Sequence, residues 1–162
     1  GGSGGGGAPG GGGSRMARPP GIIYLPELEQ SLFRLTNEVR RRHGLAPLTW
    51  ENGLTAVARA HSVDMLAKGY FSHVNPTGET PEQRSAAGCR MRLARSGENI
   101  WAGSGHDPHH PEVLAPLIVD RWLASPGHRE NLLHPEYTAM GIGVAAWGRE
   151  IRATQMLVRP AP

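Results

Sequence analysis

The stretch TAMGIGVAAWGREIRATQMLVR, residues 138–159, contains two strand candidates separated by Gly148 and Arg149. Two apolar segments joined by a short turn that contains glycine are typical of a β-hairpin. Large and small residues alternate along the first segment: the large ones are Met140, Ile142 and Val144, and the small ones are Gly141, Gly143 and Ala145. We expect the large side to pack under helices and the small side to let another element come unusually close.

Helical patterns precede this hairpin. Apolar residues recur at spacings of three and four from residue 26 to residue 44, where a glycine is expected to end the helix. A second helix is predicted over residues 51–68, and a third begins at Thr80, with Gln83 placed to complete a capping box and Gly88 ending it. Between the first two helices, LAPLTW is interpreted as a loop with a tryptophan anchor.

Two more helices and one more strand lie between the third helix and the hairpin. The helices are predicted over residues 111–124 and within SPGHRENLL, residues 125–133, where Ser125 is the expected N-cap and Pro126 the first helical residue. The strand is predicted over SGENIWAG, residues 96–103. Helices first, then strands and helices without regular alternation, favour an α+β fold with an antiparallel sheet covered by helices.

Length and composition limit the domain organisation. A chain of 162 residues corresponds to about one domain that can bury a core. Residues 1–20 are rich in glycine with almost nothing to bury, so we interpret them as a flexible linker or tag and assign residues 21–162 to the domain. The chain lacks an apolar run of about 20 residues, the length that crosses a bilayer. The lone Cys89 allows no internal disulfide and is interpreted as a small buried hydrophobe.

The charge pattern argues against nucleic-acid binding. The net charge is +3, and arginines in the acid-free N-terminal tail contribute part of it. The remaining basic residues are scattered, without interleaved aromatic residues or a zinc-finger spacing. The run Arg40, Arg41 and Arg42 is interpreted as the cationic last turn of the first helix.

His128 lies near the start of the short helix in SPGHRENLL. Free N–H groups and the positive end of the helix dipole predict that its imidazole stays neutral to lower pH than usual. A neutral imidazole can act as a metal ligand or a base, whereas the simpler alternative is a surface or capping side chain. His61 is interpreted as a satisfied core histidine on the apolar face of its helix.

Three other histidines lie together between prolines, in GHDPHHP at residues 105–111. They are His106, His109 and His110. Their number suggests metal binding, but the prolines favour a mobile loop without a native metal role.

Four ordered motifs point to a known family: FSH at 71–73, GENI at 97–100, RWLASPGHRENLL at 121–133 and YTAMGIGVA at 137–145. Together they resemble the bacterial branch of the CAP superfamily, which groups cysteine-rich secretory proteins, antigen 5 and plant pathogenesis-related 1 proteins. The resemblance covers about residues 27–158. It implies a three-layer α-β-α sandwich with a central antiparallel sheet, and a protein that is secreted or associated with the cell envelope.

The resemblance also implies a cleft lined by two histidines and two acidic residues. Three of these match positions of this chain, namely His73, Glu98 and His128. The second acidic residue has no clear counterpart, because Ser125 stands near its position. Asp120 or Glu130 would replace it only if the geometry allows.

Three functions follow for such a cleft. The first is an exported binding module of undefined activity for a lipid or sterol, a cell-envelope component or a partner protein. The second is a metal-dependent, protease-like hydrolase in which His73 and His128, with Glu98, hold Zn²⁺ or another divalent cation and leave a position for water, or in which Glu98 is the base. In the third, the same residues form a buried hydrogen-bonded network that only fixes the sheet to the helices.

Overall fold

The computed structural model describes residues 18–162, so most of the predicted tether lies outside the described residues. The strands are Ile22–Tyr24 (β1), Thr49–Trp50 (β2), Leu93–Gly103 (β3), Ala139–Trp147 (β4) and Glu150–Pro160 (β5). The helices are Pro26–Arg42 (α1), Asn52–Lys68 (α2), Pro81–Cys89 (α3), Pro111–Ala124 (α4) and Pro126–Leu132 (α5). None of the helices in this range is long and apolar enough to cross a membrane.

The sheet has the strand order β1-β4-β5-β3, and every pair along this path is antiparallel. The predicted hairpin forms the centre: Trp147 pairs with Glu150, and Gly148 in the turn has a φ of +59°. Helices α1, α4 and α5 cover one face of the sheet, and α2 and α3 cover the other. The α+β class and the three-layer α-β-α sandwich are confirmed.

The alternation along β4 separates the two layers as expected. Met140, Ile142 and Val144 are fully buried in a core cluster with apolar residues of α1 and α4. On the other side, a Cβ on Gly143 would clash with the backbone of Arg59 in α2. Helix α2 therefore lies on β4 at backbone contact, which only small residues permit.

Two short strands were not predicted. Strand β1 extends the sheet beside β4, and β2 forms a two-residue parallel pair with the same strand. The segment expected to be a loop thus ends in a strand. Trp50 anchors it, because its ring meets the ring of Phe33 edge-on with centroids 5.2 Å apart.

Helix α3 begins as predicted and ends one residue later. The capping box of Thr80 and Gln83 is present, but the helix continues to Cys89 and ends at Arg90, whose φ is +51°. Gly88 is needed for packing instead, since a Cβ there would clash with the side chain of Val57 in α2.

Helix α5 begins after Ser125, which adopts the extended backbone of an N-cap, with Pro126 as the first helical residue. The expected capping hydrogen bond from the Ser125 side chain is not formed among the described residues. The proline supplies part of the explanation, because it has no N–H that needs a partner.

Arg40 differs from the two arginines that follow it, which are exposed. It is fully buried and donates hydrogen bonds to the carbonyl oxygens of Ala46 at 2.9 Å, Leu132 at 2.8 Å and His134 at 3.0 Å. The interpretation of the run as a cationic last turn is confirmed, and Arg40 has this further role that the sequence did not predict. This residue joins the end of α1 to the end of α5.

Candidate functional site

The site is built around the carboxylate of Glu98 in β3, whose side chain is only 1% exposed. Oε1 lies 2.9 Å from Nδ1 of His73 and 3.9 Å from Nε2 of His61. Oε2 lies 2.9 Å from Nη2 of Arg84, an ion pair whose angles are not those of a hydrogen bond. Both oxygens of this buried carboxylate thus face positively charged or hydrogen-donating groups of the chain itself.

His73 lies in the loop between α2 and α3, and its side chain is 47% exposed. Because an ionised carboxylate only accepts hydrogen bonds, the contact with Glu98 places a proton on Nδ1 of His73. Nε2 of the same ring is then left for another partner. The carbonyl oxygen of His73 accepts a hydrogen bond of 2.6 Å from Arg84, so backbone and ring are both fixed.

His128 lies in the first turn of α5 and is half-buried. Burial lowers its pKa below the usual value, and the repulsion that a second protonated ring would meet from His73 lowers it further. The predicted direction is confirmed, but the cause is burial and a neighbouring imidazole rather than the helix dipole. The structure brings His73 and Glu98 into direct contact and couples His128 to His73 by charge.

An amide network attaches α5 to the strand that carries Glu98. Asn131 donates from Nδ2 to the carbonyl oxygen of Glu98 at 3.2 Å and to Oδ1 of Asn99 at 3.1 Å. Asn99 donates from its own Nδ2 to the carbonyl oxygen of His128 at 3.2 Å and to Oε1 of Gln155 at 3.1 Å. The asparagine of the GENI motif therefore fixes the turn of α5 that carries His128.

The glycine of the same motif has a separate role. A Cβ on Gly97 would clash with the hydroxyl group of Tyr137 and approach the side chain of Asn131 to 2.8 Å. Only glycine at this position lets the segment after α5 close over β3.

Sequence reasoning placed His61 in the core and overlooked Arg84. His61 is buried and satisfied, since its Nε2 lies 2.9 Å from the carbonyl oxygen of Ser72, yet it also borders Glu98. A polar ring on an apolar helix face is the signal that could have identified it. Arg84 gives no such signal, because a single arginine in a short helix is usually exposed.

The residues considered for the second acidic position lie elsewhere. Asp120 and Glu130 are exposed, and Ser125 is half-buried. Among the described residues, the side chain of Glu98 has polar contacts with His61, His73 and Arg84. These three side chains surround the carboxylate without a second acidic partner.

Within residues 18–162, no group of three or more histidine, cysteine or acidic side chains is arranged to hold a metal ion. Glu98 is engaged by Arg84 and His73, which leaves two imidazoles as donors. The assignment of His73 and His128 as metal ligands stays a prediction.

In the loop before α4, His109 and His110 are exposed, and His106 is half-buried with its ring beside that of Trp101. His110 is 3.0 Å from Glu112 through Nδ1 and 3.3 Å from Asp107 through Nε2. These carboxylates raise the pKa of His110, and the larger cause is the hydrogen bond that its ring donates to Glu112. The ring of His110 is thus engaged by two carboxylates that are close to it in the chain.

Comparison with known proteins agrees with the motifs. The family model described as "CAP: Cysteine-rich secretory protein family" matches residues 33–151. Two curated relatives come from Bacillus subtilis (strain 168). The uncharacterized membrane protein YlbC is 38% identical over 116 residues, 72% of this chain and 31% of its own length. The uncharacterized protein YkwD is 37% identical over 121 residues, 74% of this chain and 43% of its own length. This chain therefore spans less than half of either relative.

Solved structures share the fold. One is an extracellular protein containing an SCP domain from Bacillus anthracis str. Ames, with 36% identity and a TM-score of 0.68 over 83% of this chain and 41% of the other. A more distant one, described as NaASP2 with Zn²⁺, has 15% identity and a TM-score of 0.60 over 85% of this chain and 81% of the other. The second likeness bears on the fold alone. Together with the family match and the Bacillus relatives, these findings show that the chain belongs to the CAP family of cysteine-rich secretory proteins.

Proposed function

We propose that this chain is an exported binding module whose recognition face consists of residues 71–74 and the first turn of α5, with His73 and His128 at its centre. The observation that carries the proposal is the state of Glu98. Its two oxygens already contact His73 and Arg84, so the carboxylate holds His73 in place instead of facing a substrate. Export is part of the proposal and is supported by the relative from Bacillus anthracis, which is described as extracellular.

The surface beside His73 is apolar. Phe71 is 52% exposed and Val74 is 45% exposed, and they flank His73 in the same loop. Large exposed apolar side chains that stand together mark interaction sites more often than isolated ones do. Next to imidazole nitrogens, they favour an amphipathic ligand, which suits a lipid or sterol, a cell-envelope component or a partner protein.

The loop that carries these side chains is fixed before any ligand arrives. The carbonyl oxygens of Ser72 and His73 accept hydrogen bonds from His61 and Arg84, and the N–H of Val74 donates to Oγ of Ser72 at 3.2 Å. A preformed surface loses less conformational entropy on binding than a mobile loop does, so ligand binding by this loop is favoured.

Cosedimentation tests the proposal with two probes: phosphatidylcholine vesicles containing cholesterol, and purified peptidoglycan from Bacillus subtilis. We expect the wild-type chain to bind one of them and the double variant Phe71→Ser, Val74→Ser to bind at least tenfold more weakly. Val113→Ser is the matched control, because Val113 is 63% exposed on α4. Equal binding by the wild type and the double variant, or binding to neither probe, would count against this recognition face.

A metal-dependent hydrolase is the second candidate, favoured by the charge coupling of His73 to His128. Two nearby imidazoles supply two of the usual four ligands of Zn²⁺, and another divalent cation is the alternative. A bound zinc ion would supply water of lowered pKa. Glu98 would then orient His73 through Nδ1, as carboxylates commonly do for metal-bound histidines.

Calorimetric titration with zinc separates the two candidates. If the wild type takes up about one ion with micromolar affinity and the variant His73→Ala, His128→Ala does not, the imidazoles form a metal site, and peptide-library hydrolysis becomes the next assay. Identical titrations of both proteins would remove the hydrolase and leave the binding module.

A further inference from the structure

A second polar group lies beneath the loop that carries His73. Tyr70 donates its hydroxyl hydrogen to Oδ2 of the buried Asp64 at 2.5 Å. The same hydroxyl oxygen is 3.5 Å from Nδ1 of His61, and the two rings meet edge-on with centroids 5.9 Å apart. Oδ1 of Asp64 lies 2.9 Å from Nζ of Lys68, so this carboxylate is also paired. The ring of Tyr70 thus packs against His61, while its hydroxyl hydrogen goes to Asp64.

The other nitrogen of His61 faces the loop. Nε2 is 2.9 Å from the carbonyl oxygen of Ser72 and 3.9 Å from Oε1 of Glu98. Both oxygens can only accept, so the hydrogen of the ring lies on Nε2 and donates to Ser72. His61 therefore presents one N–H group between the loop backbone and the carboxylate that binds His73.

Two helices anchor consecutive carbonyl groups of the loop. His61 of α2 holds the carbonyl oxygen of Ser72, and Arg84 of α3 holds that of His73. With both carbonyls fixed, the His73 side chain leaves the backbone at the point where its Nδ1 reaches Glu98. Loss of either anchor frees the backbone beside His73.

We propose that His61 is a positioning residue for His73. Its Nε2–H group holds the carbonyl oxygen of Ser72, the ring of Tyr70 packs edge-on against it, and the result is a single tautomer of His73 with Nε2 outward. The consequence for ligands rests on the proposed function of this face. The positioning itself does not, because it is a property of the unliganded protein.

The experiment is NMR of the protein labelled with ¹⁵N at its histidine side chains, read as the Nδ1 and Nε2 shifts of His73. In the wild type we expect the tautomer protonated at Nδ1. His61→Leu keeps bulk but removes the donor, and we expect the two His73 shifts to move towards the average of the two tautomers. His61→Gln restores an N–H donor towards Ser72 and is expected to restore the wild-type shifts.

His43→Gln is the matched control, since His43 is exposed at the end of α1 and is expected to leave the His73 shifts unchanged. A folded His61→Leu protein with wild-type His73 shifts would overturn the proposal and leave His61 as a core residue only. If His61→Leu does not fold, His61→Met decides. It likewise fills the site without a donor towards Ser72, and unchanged His73 shifts in the folded variant would equally overturn the proposal, whereas a shift in the same direction supports it.

Discussion

Glu98 brings a negative charge into the interior, and the partners that neutralise it have different exposures. Only 9% of the Arg84 side chain is exposed, while 47% of the His73 side chain is exposed. A charge pair of this kind contributes little compared with apolar packing, but removal of one partner leaves the other without compensation. The carboxylate therefore links the stability of the fold to the geometry of the face.

We expect Glu98→Gln to lower the free energy of unfolding by about 3–5 kcal/mol, because Arg84 would remain buried without its counter-charge. Urea unfolding measures the loss. The double variant Glu98→Gln, Arg84→Met should recover part of it, since the uncompensated charge is then gone. A loss below about 1 kcal/mol in the single variant would mean that water already reaches the guanidinium group.

Cys89 is expected to be a poor nucleophile. Burial raises the pKa of its thiol to about 11, with the charge of Glu51 as a smaller contribution. Because the thiolate is the reactive form, the folded protein should react with Ellman's reagent at pH 8 at least tenfold more slowly than the urea-unfolded protein. Equal rates would place the sulfur in a more open environment than the half-buried one observed here.

Helix α2 contacts β4 backbone to backbone. A Cβ on Gly141 or Gly143 would meet the backbone of α2, and a flexible side chain that could give way is absent from the nearest contacts of Gly143. The alternating pattern of β4 was sufficient to predict that some element approaches this side. It did not identify α2, because small residues show that space is left beside the strand but not which element fills it.

Gly143→Ala should lower the free energy of unfolding by about 3 kcal/mol or more, because overpacking here requires movement of a helix backbone. Thermal unfolding followed by circular dichroism is the measurement. Gly127→Ala is the matched control: a Cβ at Gly127 has open space in α5, and the change is expected to lie within about 0.5 kcal/mol. A neutral result for Gly143→Ala would show that α2 can shift on the sheet at low cost.

Arg40 connects the ends of α1 and α5. Replacement by methionine preserves much of the volume but leaves three carbonyl oxygens without their donor, including those of Leu132 and His134. We expect a loss of about 2–4 kcal/mol in urea unfolding, since each buried unsatisfied acceptor costs about 1 kcal/mol or more. Arg41→Met, at an exposed position, should be nearly neutral. Equal effects of the two changes would contradict the role of Arg40 in joining the ends of α1 and α5.

The stability of the entire domain is expected to fall below neutral pH. Burial lowers the pKa of His61 in the folded state, so the unfolded chain binds a proton first as the pH decreases. The contribution is fully present above the unfolded pKa of about 6.5 and is lost as the pH falls from there towards the folded pKa. The exposed His110, whose pKa is raised, acts in the opposite direction.

Melting temperatures between pH 7 and pH 5 test this dependence. We expect the wild type to lose stability over this interval and His61→Gln to lose less. His128, with a lowered pKa of its own, should account for part of the remaining slope. A flat profile in the wild type would show that the folded protein accepts a proton on His61 as readily as the unfolded chain.

The sequence was informative wherever one residue type has a direct physical consequence. Helix periodicity, the capping box at Thr80 and the Ser125–Pro126 start predicted the five helices, and the pattern of residues 138–159 predicted the hairpin. The three layers came from the family resemblance. Strands β1 and β2 were missed because two or three residues carry no period. The partners of Arg40 and Arg84 were not predicted, since they are carbonyl and carboxylate groups that are distant in the chain.

The direct contact between α2 and β4 also determines where the protein can deform. Because no layer of side chains separates the two backbones, α2 and the sheet form one stiff body, to which the loop of His73 is tied. On the opposite face, Asn99 ties the turn of α5 that carries His128 to β3. When a ligand occupies the face, we therefore expect side chains to rotate while the backbones of His73 and His128 keep their spacing.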